Sequence, residues 1–196
     1  RDADDLWRRT DLRHHGVPQP APEPLEDFWT GTRLVTLCNQ LPPDLVPLVE
    51  QLSDQDPVKR VEALQQLAVH RQHAKDASIA VYALLEDRHP LVAINAAGTL
   101  HAISGDVWGS VRTLSAKLKS TDEKVIRLSA YLLGQMGAEA MDAVPALEEV
   151  RDHRQGLTRL YAAEALNRIA PADPGSVQTL AAALSDPDRE IRWFAA

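Results

Sequence analysis

"HPLVAINAAGTL", residues 89–100, sets two alanines and a glycine side by side in a stretch whose larger apolar residues recur at helical spacing. A run of small residues on a helix marks a place where backbones approach closely, so the fold turns on whether the run recurs. It does. Set beneath one another, "DQDPVKRVEAL" (54–64), "DRHPLVAINAA" (87–97), "STDEKVIRLSA" (120–130), "HRQGLTRLYAA" (153–163) and "DPDREIRWFAA" (186–196) bring small residues to Ala63, Ala96, Ser129, Ala162 and Ala195, at a constant interval of 33 residues. The next column reads Leu64, Ala97, Ala130, Ala163 and Ala196, and three places on stand Leu67, Leu100, Leu133 and Leu166.

Small, small, then large is a packing pattern, and each such segment is followed by a second apolar one: "SIAVYALLED", "VWGSVRTLSAKL", "AVPALEEVRD" and "VQTLAAALSD". The unit is therefore a helix hairpin, and a fixed period of hairpins is the signature of a solenoid. Ala96, Ala97 and Gly98 are expected to let the first helix press against its hairpin partner or the preceding repeat. Turn chemistry agrees, because Asp56-Pro57 offers a capping carboxylate followed by a proline at the first helical position, where its missing N–H costs nothing.

Composition points the same way. The chain has 196 residues, of which 44% are hydrophobic, 25% charged and 5% aromatic, with Ala and Leu dominant in the apolar set, as suits a helical chain able to bury a sizeable core. A net charge of −7 argues against a dominant phosphate-binding surface. The one cysteine, Cys38, cannot form an intramolecular disulfide and reads as a small buried hydrophobe. No apolar run approaches the roughly 20 residues that span a bilayer, and no compartment is assigned.

The expected organisation is a tail and Pro-rich linker at 1–24, with Pro18, Pro20, Pro22 and Pro24 alternating, followed by a solenoid at 25–196. Within it, 25–53 is a degenerate cap repeat, since Thr30, Gly31 and Leu34 keep the small-small-large rule. The full repeats are 54–86, 87–119, 120–152 and 153–185, and 186–196 is a truncated one. Ala196 stops short of its helix's large residue, so the array is expected to continue and its apolar end to self-associate.

These residues resemble HEAT repeats, in particular the short alanine-rich class named after phycobilisome lyases; "LSDPDREIRWFAA" at 184–196 carries the likeness best. The resemblance implies a right-handed α-solenoid whose second helices line a concave surface, with an inter-repeat ladder of aspartates and arginines. The matching positions are Asp54, Asp87, Asp152 and Asp186, with Arg60, Arg159 and Arg192. Departures are Ser120 in place of the aspartate, Ala93 and Ile126 in place of the arginine, and an extra residue around His153 in the fourth repeat.

Function has to come from residues that break the repeat. His70 and His73 stand three apart and would share a helical face, but two histidines without a third ligand do not make a metal site. No His is followed by Glu, which removes the di-iron hydroxylase of HEAT architecture. A second-helix column reading Gln51, Leu84, Lys117, Glu149 is mixed, so no nucleic-acid partner is expected. Neither a catalytic set nor a cofactor site is expected. Trp108, just after "SGD" at 104–106, and Tyr82 are the candidate partner-binding aromatics, with Arg112 and Lys117 as the local basic residues. The expected function is a non-catalytic scaffold binding another protein or peptide on the concave face. The alternative is an accessory C-terminal segment of a larger bacterial enzyme such as a sulfatase-like hydrolase, and a bilin lyase-like activity ranks below both.

Overall fold

The computed structural model describes Trp29 and residues 32–196. The expected tail and linker at 1–24, and Thr30 and Gly31 of the cap, lie outside the described residues.

Eleven α-helices follow one another among the described residues, with no strand. They are α1 (Thr32–Cys38), α2 (Val46–Gln51), α3 (Pro57–His70), α4 (Ser78–Ala83), α5 (Pro90–Ser104), α6 (Val107–Lys117), α7 (Glu123–Met136), α8 (Val144–His153), α9 (Gly156–Ile169), α10 (Pro174–Ala183) and α11 (Arg189–Ala195). The odd-numbered helices from α3 onward start at 57, 90, 123, 156 and 189, so the sequence period is the period of the structure. The fold is an α-solenoid.

Aspartates set several of these starts. Asp56 accepts from Val58 N, Asp122 from Lys124 N, and Asp188 from Glu190 N, each satisfying an amide that the helix leaves without a partner. His89 and Gln155 occupy the same register and supply no side-chain cap. Pro57 and Pro90 sit in the first turn, where a proline is tolerated.

Two kinds of connector join the helices of the first three full repeats. Between α5 and α6, Gly105 closes the helix in the left-handed region and Asp106 opens the next. Between α3 and α4, and between α7 and α8, the chain runs instead through a 3₁₀ turn, Arg71–Ala77 and Gly137–Ala143. These longer connectors lie two repeats apart.

The small and large columns meet in the core. Ala63, Ala96, Ser129 and Ala162 are buried, as are Leu64, Ala97, Ala130 and Ala163, and so are Leu67, Leu100, Leu133 and Leu166. Each buried leucine contributes about 1.5–3 kcal/mol relative to exposure. Close approach is visible in the hydrogen bonds: Thr99 Oγ1 donates to Leu64 O of the preceding repeat at 2.9 Å, and Ser110 Oγ donates to Ala97 O across the hairpin at 2.8 Å. Gly98 behaves differently from its two alanine neighbours. It faces forward, and a methyl group there would meet Leu132 of the following repeat at 3.4 Å. The closest approach to a neighbouring backbone is at Gly134, where a methyl would lie 3.0 Å from Ala165 Cα. Neighbouring hairpins carry the extensive contacts, α3 on α5 and α7 on α9 among them.

Candidate functional site

The site forms where Tyr82 of α4 and Leu85 just after it meet the first turn of α6. Asp106 caps α6 by accepting from Gly109 N at 3.2 Å. Gly109 carries no side chain, and the space a methyl would fill is bounded by Asp106 Oδ2 at 2.8 Å, Tyr82 Cε2 at 3.3 Å and Leu85 Cδ1 at 3.4 Å. That absence lets the ring of Tyr82, half-buried on α4, seat against the α6 backbone. Trp108 immediately precedes the glycine and turns outward, 54% exposed.

One helical turn further on, the Arg112 guanidinium lies over the Trp108 ring with Cζ 5.2 Å from its centroid, a cation–π contact. Arg112 Nη2 also reaches Glu86 Oε1 at the end of the α4 hairpin arm, 3.3 Å away. Both charged groups are well exposed, so this pair adds little stability, and its effect is to orient the arginine. Tyr82, Trp108 and Arg112 therefore converge on one face, with Glu86 joining them. Lys117 does not: nine residues past Trp108, it falls on the opposite side of the same helix. An indole, a phenol, a guanidinium and a carboxylate are recognition groups, and nothing among them is placed as a nucleophile with its base.

The expected ladder residues are distributed unevenly. Arg60 is buried and donates from Nη1 to the carbonyls of Asp54 and Gln55 at 2.7 and 3.1 Å, and from Nη2 to Asp87 of the next repeat at 3.0 Å. Arg192 repeats the first half, donating to the carbonyls of Asp186 and Pro187. Asp54, Asp87 and Asp186 each accept the backbone N–H two residues on, and Ser120 accepts the same bond from Asp122 N, so the serine preserves the turn although it loses the charge. The N–H of Asp56 and the nearby Lys59 ammonium hold the Asp54 carboxyl below the usual carboxylate range.

Asp152 stands elsewhere. The start of α9 keeps the common interval, so there is no extra residue around His153. What differs is that α8 runs on to His153, and Arg154 and Gln155 follow as extended chain. Asp152 pairs with its neighbour Arg151, whose Nε lies 2.8 Å from Oδ1, and Arg151 Nη1 reaches Asp173 at 2.7 Å. The half-buried Arg159 shares no hydrogen bond with it; instead Arg154 Nη2 donates to Ser120 O at 3.1 Å and ties the fourth repeat to the third. Asp173 also accepts from the hydroxyl and amide of Ser176 and from Gly175 N, and its carboxyl is held low, by the Ser176 hydroxyl first. Arg151, Arg154 and Asp173 carry no sequence signal beyond being charged residues near helix ends.

Among known proteins, residues 111–196 match the family model for HEAT repeats. That segment carries HEAT repeats. Upstream of the matched segment, the same helical period continues in the structure, since α3 and α5 start in the same register. A similar solved structure is the crystal structure of an engineered protein, with TM-score 0.56 and 24% identity, covering 78% of this chain and 76% of that one; it bears on the fold alone. No curated protein matches the sequence. No helix among the described residues is long and apolar enough to cross a membrane. Cys38 is half-buried, and burial, followed by the nearby Glu50 charge, pushes its thiol pKa up.

Proposed function

We propose that this HEAT-repeat segment is a non-catalytic binding module that takes a protein or peptide on the face presented by its second helices. The observation that carries the reading is the Trp108–Arg112 stack beside Tyr82. A large apolar ring stands in solvent next to a half-buried aromatic, with charge of both signs at its edge. Trp, Tyr and Arg are the residues that most often dominate binding energy, and a repeat scaffold holds them without an ordering cost. The partner best suited offers an apolar anchor for the indole and a carboxylate for Arg112.

The test pairs identification with energetics. Proteins retained by the full chain are identified, and the purified partner is titrated by calorimetry against wild type and Trp108→Ala. Loss of about 2 kcal/mol in binding, roughly thirtyfold in Kd, is expected for a central anchor. Lys117→Ala, on the other side of α6, should leave Kd unchanged. Equal affinity for wild type and Trp108→Ala would show that this face is not the docking site, and substrate turnover by the isolated chain would overturn the non-catalytic reading.

A further inference from the structure

The histidines at 70 and 73 do not share a helical face, because α3 ends at His70. The chain reverses at Arg71, with φ 50° and ψ −130°, a conformation rare for a residue with a side chain. Gly137 holds the equivalent junction two repeats on, with φ 59° and ψ −139°. The reversal brings the two imidazoles together, their centroids 5.9 Å apart.

A third group approaches from the preceding hairpin. Asp44, in the turn before α2, places Oδ2 3.3 Å from His73 Nε2. One ligand atom from each of Asp44, His70 and His73 lies within 4.8 Å of the others. A zinc ion bound at about 2.0–2.2 Å to each of three such donors needs its ligands roughly 3.4 Å apart. The Asp44–His73 separation already meets that spacing, and both side chains are more than half exposed and free to close on an ion.

We propose that Asp44, His70 and His73 form a zinc site, two imidazoles and one carboxylate, with the fourth position left to water. Imidazole with carboxylate is a donor set suited to a borderline divalent ion, unlike the all-oxygen shells of calcium or magnesium. Two of the other described histidines have different company: His101 contacts Glu139 at 2.8 Å and His153 contacts Glu149 O at 3.0 Å. The ion would join residues 29 apart in sequence and fasten the α1–α2 hairpin to the end of α3. That hairpin has need of a fastening, since α2 spans only 6 residues and is too short to persist alone. Without metal the same contact is one hydrogen bond between exposed side chains, of little worth.

The experiment titrates the metal-free full chain with zinc chloride at neutral pH by calorimetry, with hydrogen exchange read on the same samples. One zinc per chain is expected, with slower exchange in α1–α2 on zinc addition. Asp44→Asn and His73→Gln should each weaken binding about tenfold or more, while circular dichroism shows the helices intact. His14→Gln/His15→Gln should change nothing. Absence of saturable binding, binding that survives His70→Gln/His73→Gln, or binding lost with the His14/His15 variant would overturn the site.

Discussion

Arg60 and Arg192 occupy the same position of the repeat and grip the same two turn carbonyls, yet their surroundings make them energetically unlike. Arg60 also reaches Asp87, and the two side chains are only 6% and 9% exposed. Removing one member of a buried pair strands the other charge, so Arg60→Ala should lose about 3 kcal/mol in urea unfolding. In the 196-residue chain Arg192 is exposed, and in that chain Arg192→Ala should change stability by less than about 0.5 kcal/mol. Similar losses for both variants would mean that the turn contact, and not the inter-repeat pair, carries the stability. The repeated residue type is legible in the sequence. Its burial is not, because burial depends on the repeat that follows.

At the scale of the helix, the two internal glycines of α5 and α7 make opposite predictions. Gly98 is half-buried, and an added methyl would meet only the flexible end of Leu132 at 3.4 Å. Gly98→Ala should therefore stabilise the chain by up to about 1 kcal/mol, the helix-propensity difference. At Gly134 the methyl would press on the Ala165 backbone at 3.0 Å, and overpacking of about 1–3 kcal/mol should outweigh that gain. Thermal unfolding of the two variants checks the contrast, and a stabilised Gly134→Ala would show that α7 and α9 can move apart. The alanine columns announce close packing, but which glycine is indispensable depends on how far each helix is rotated. Capping has the same limit: Asp56, Asp122 and Asp188 read as caps, whereas His89 and Gln155 share their register without serving.

For the molecule as a whole, the solenoid joins its repeats through local contacts, and several of these depend on ionised carboxylates. Asp54, Asp152 and Asp173 all titrate below the ordinary range: Asp54 because of the Asp56 N–H, Asp152 because of the Arg151 guanidinium, and Asp173 because of the Ser176 hydroxyl. A carboxyl with a lower pKa in the folded state stabilises the fold above its unfolded value, and that contribution vanishes as the pH falls through the folded value. Stability should therefore be flat from neutral pH down to about 4 and fall below it. Asp173→Asn should flatten the acid limb in a series of melting curves. An acid limb identical to that of the wild type would place the sensitivity elsewhere.

What the sequence determined by itself is the periodic part: the helical class, the interval between first helices, the small and large columns of the core and the aspartate turns. These recur from hairpin to hairpin, with a serine turn at Ser120 and no such turn at His153 as the exceptions, because each hairpin must meet its neighbour at the same distance. Tertiary structure decided what occurs once. The pairing of Arg151 with Asp173, the reach of Arg154 to Ser120, the meeting of Arg112 with Glu86 and the approach of Asp44 to His73 each join residues 22 to 34 apart. Their meeting depends on helix rotation and on connectors such as the turn at Arg71, where a backbone reversal rather than a spacing brings two imidazoles to one carboxylate.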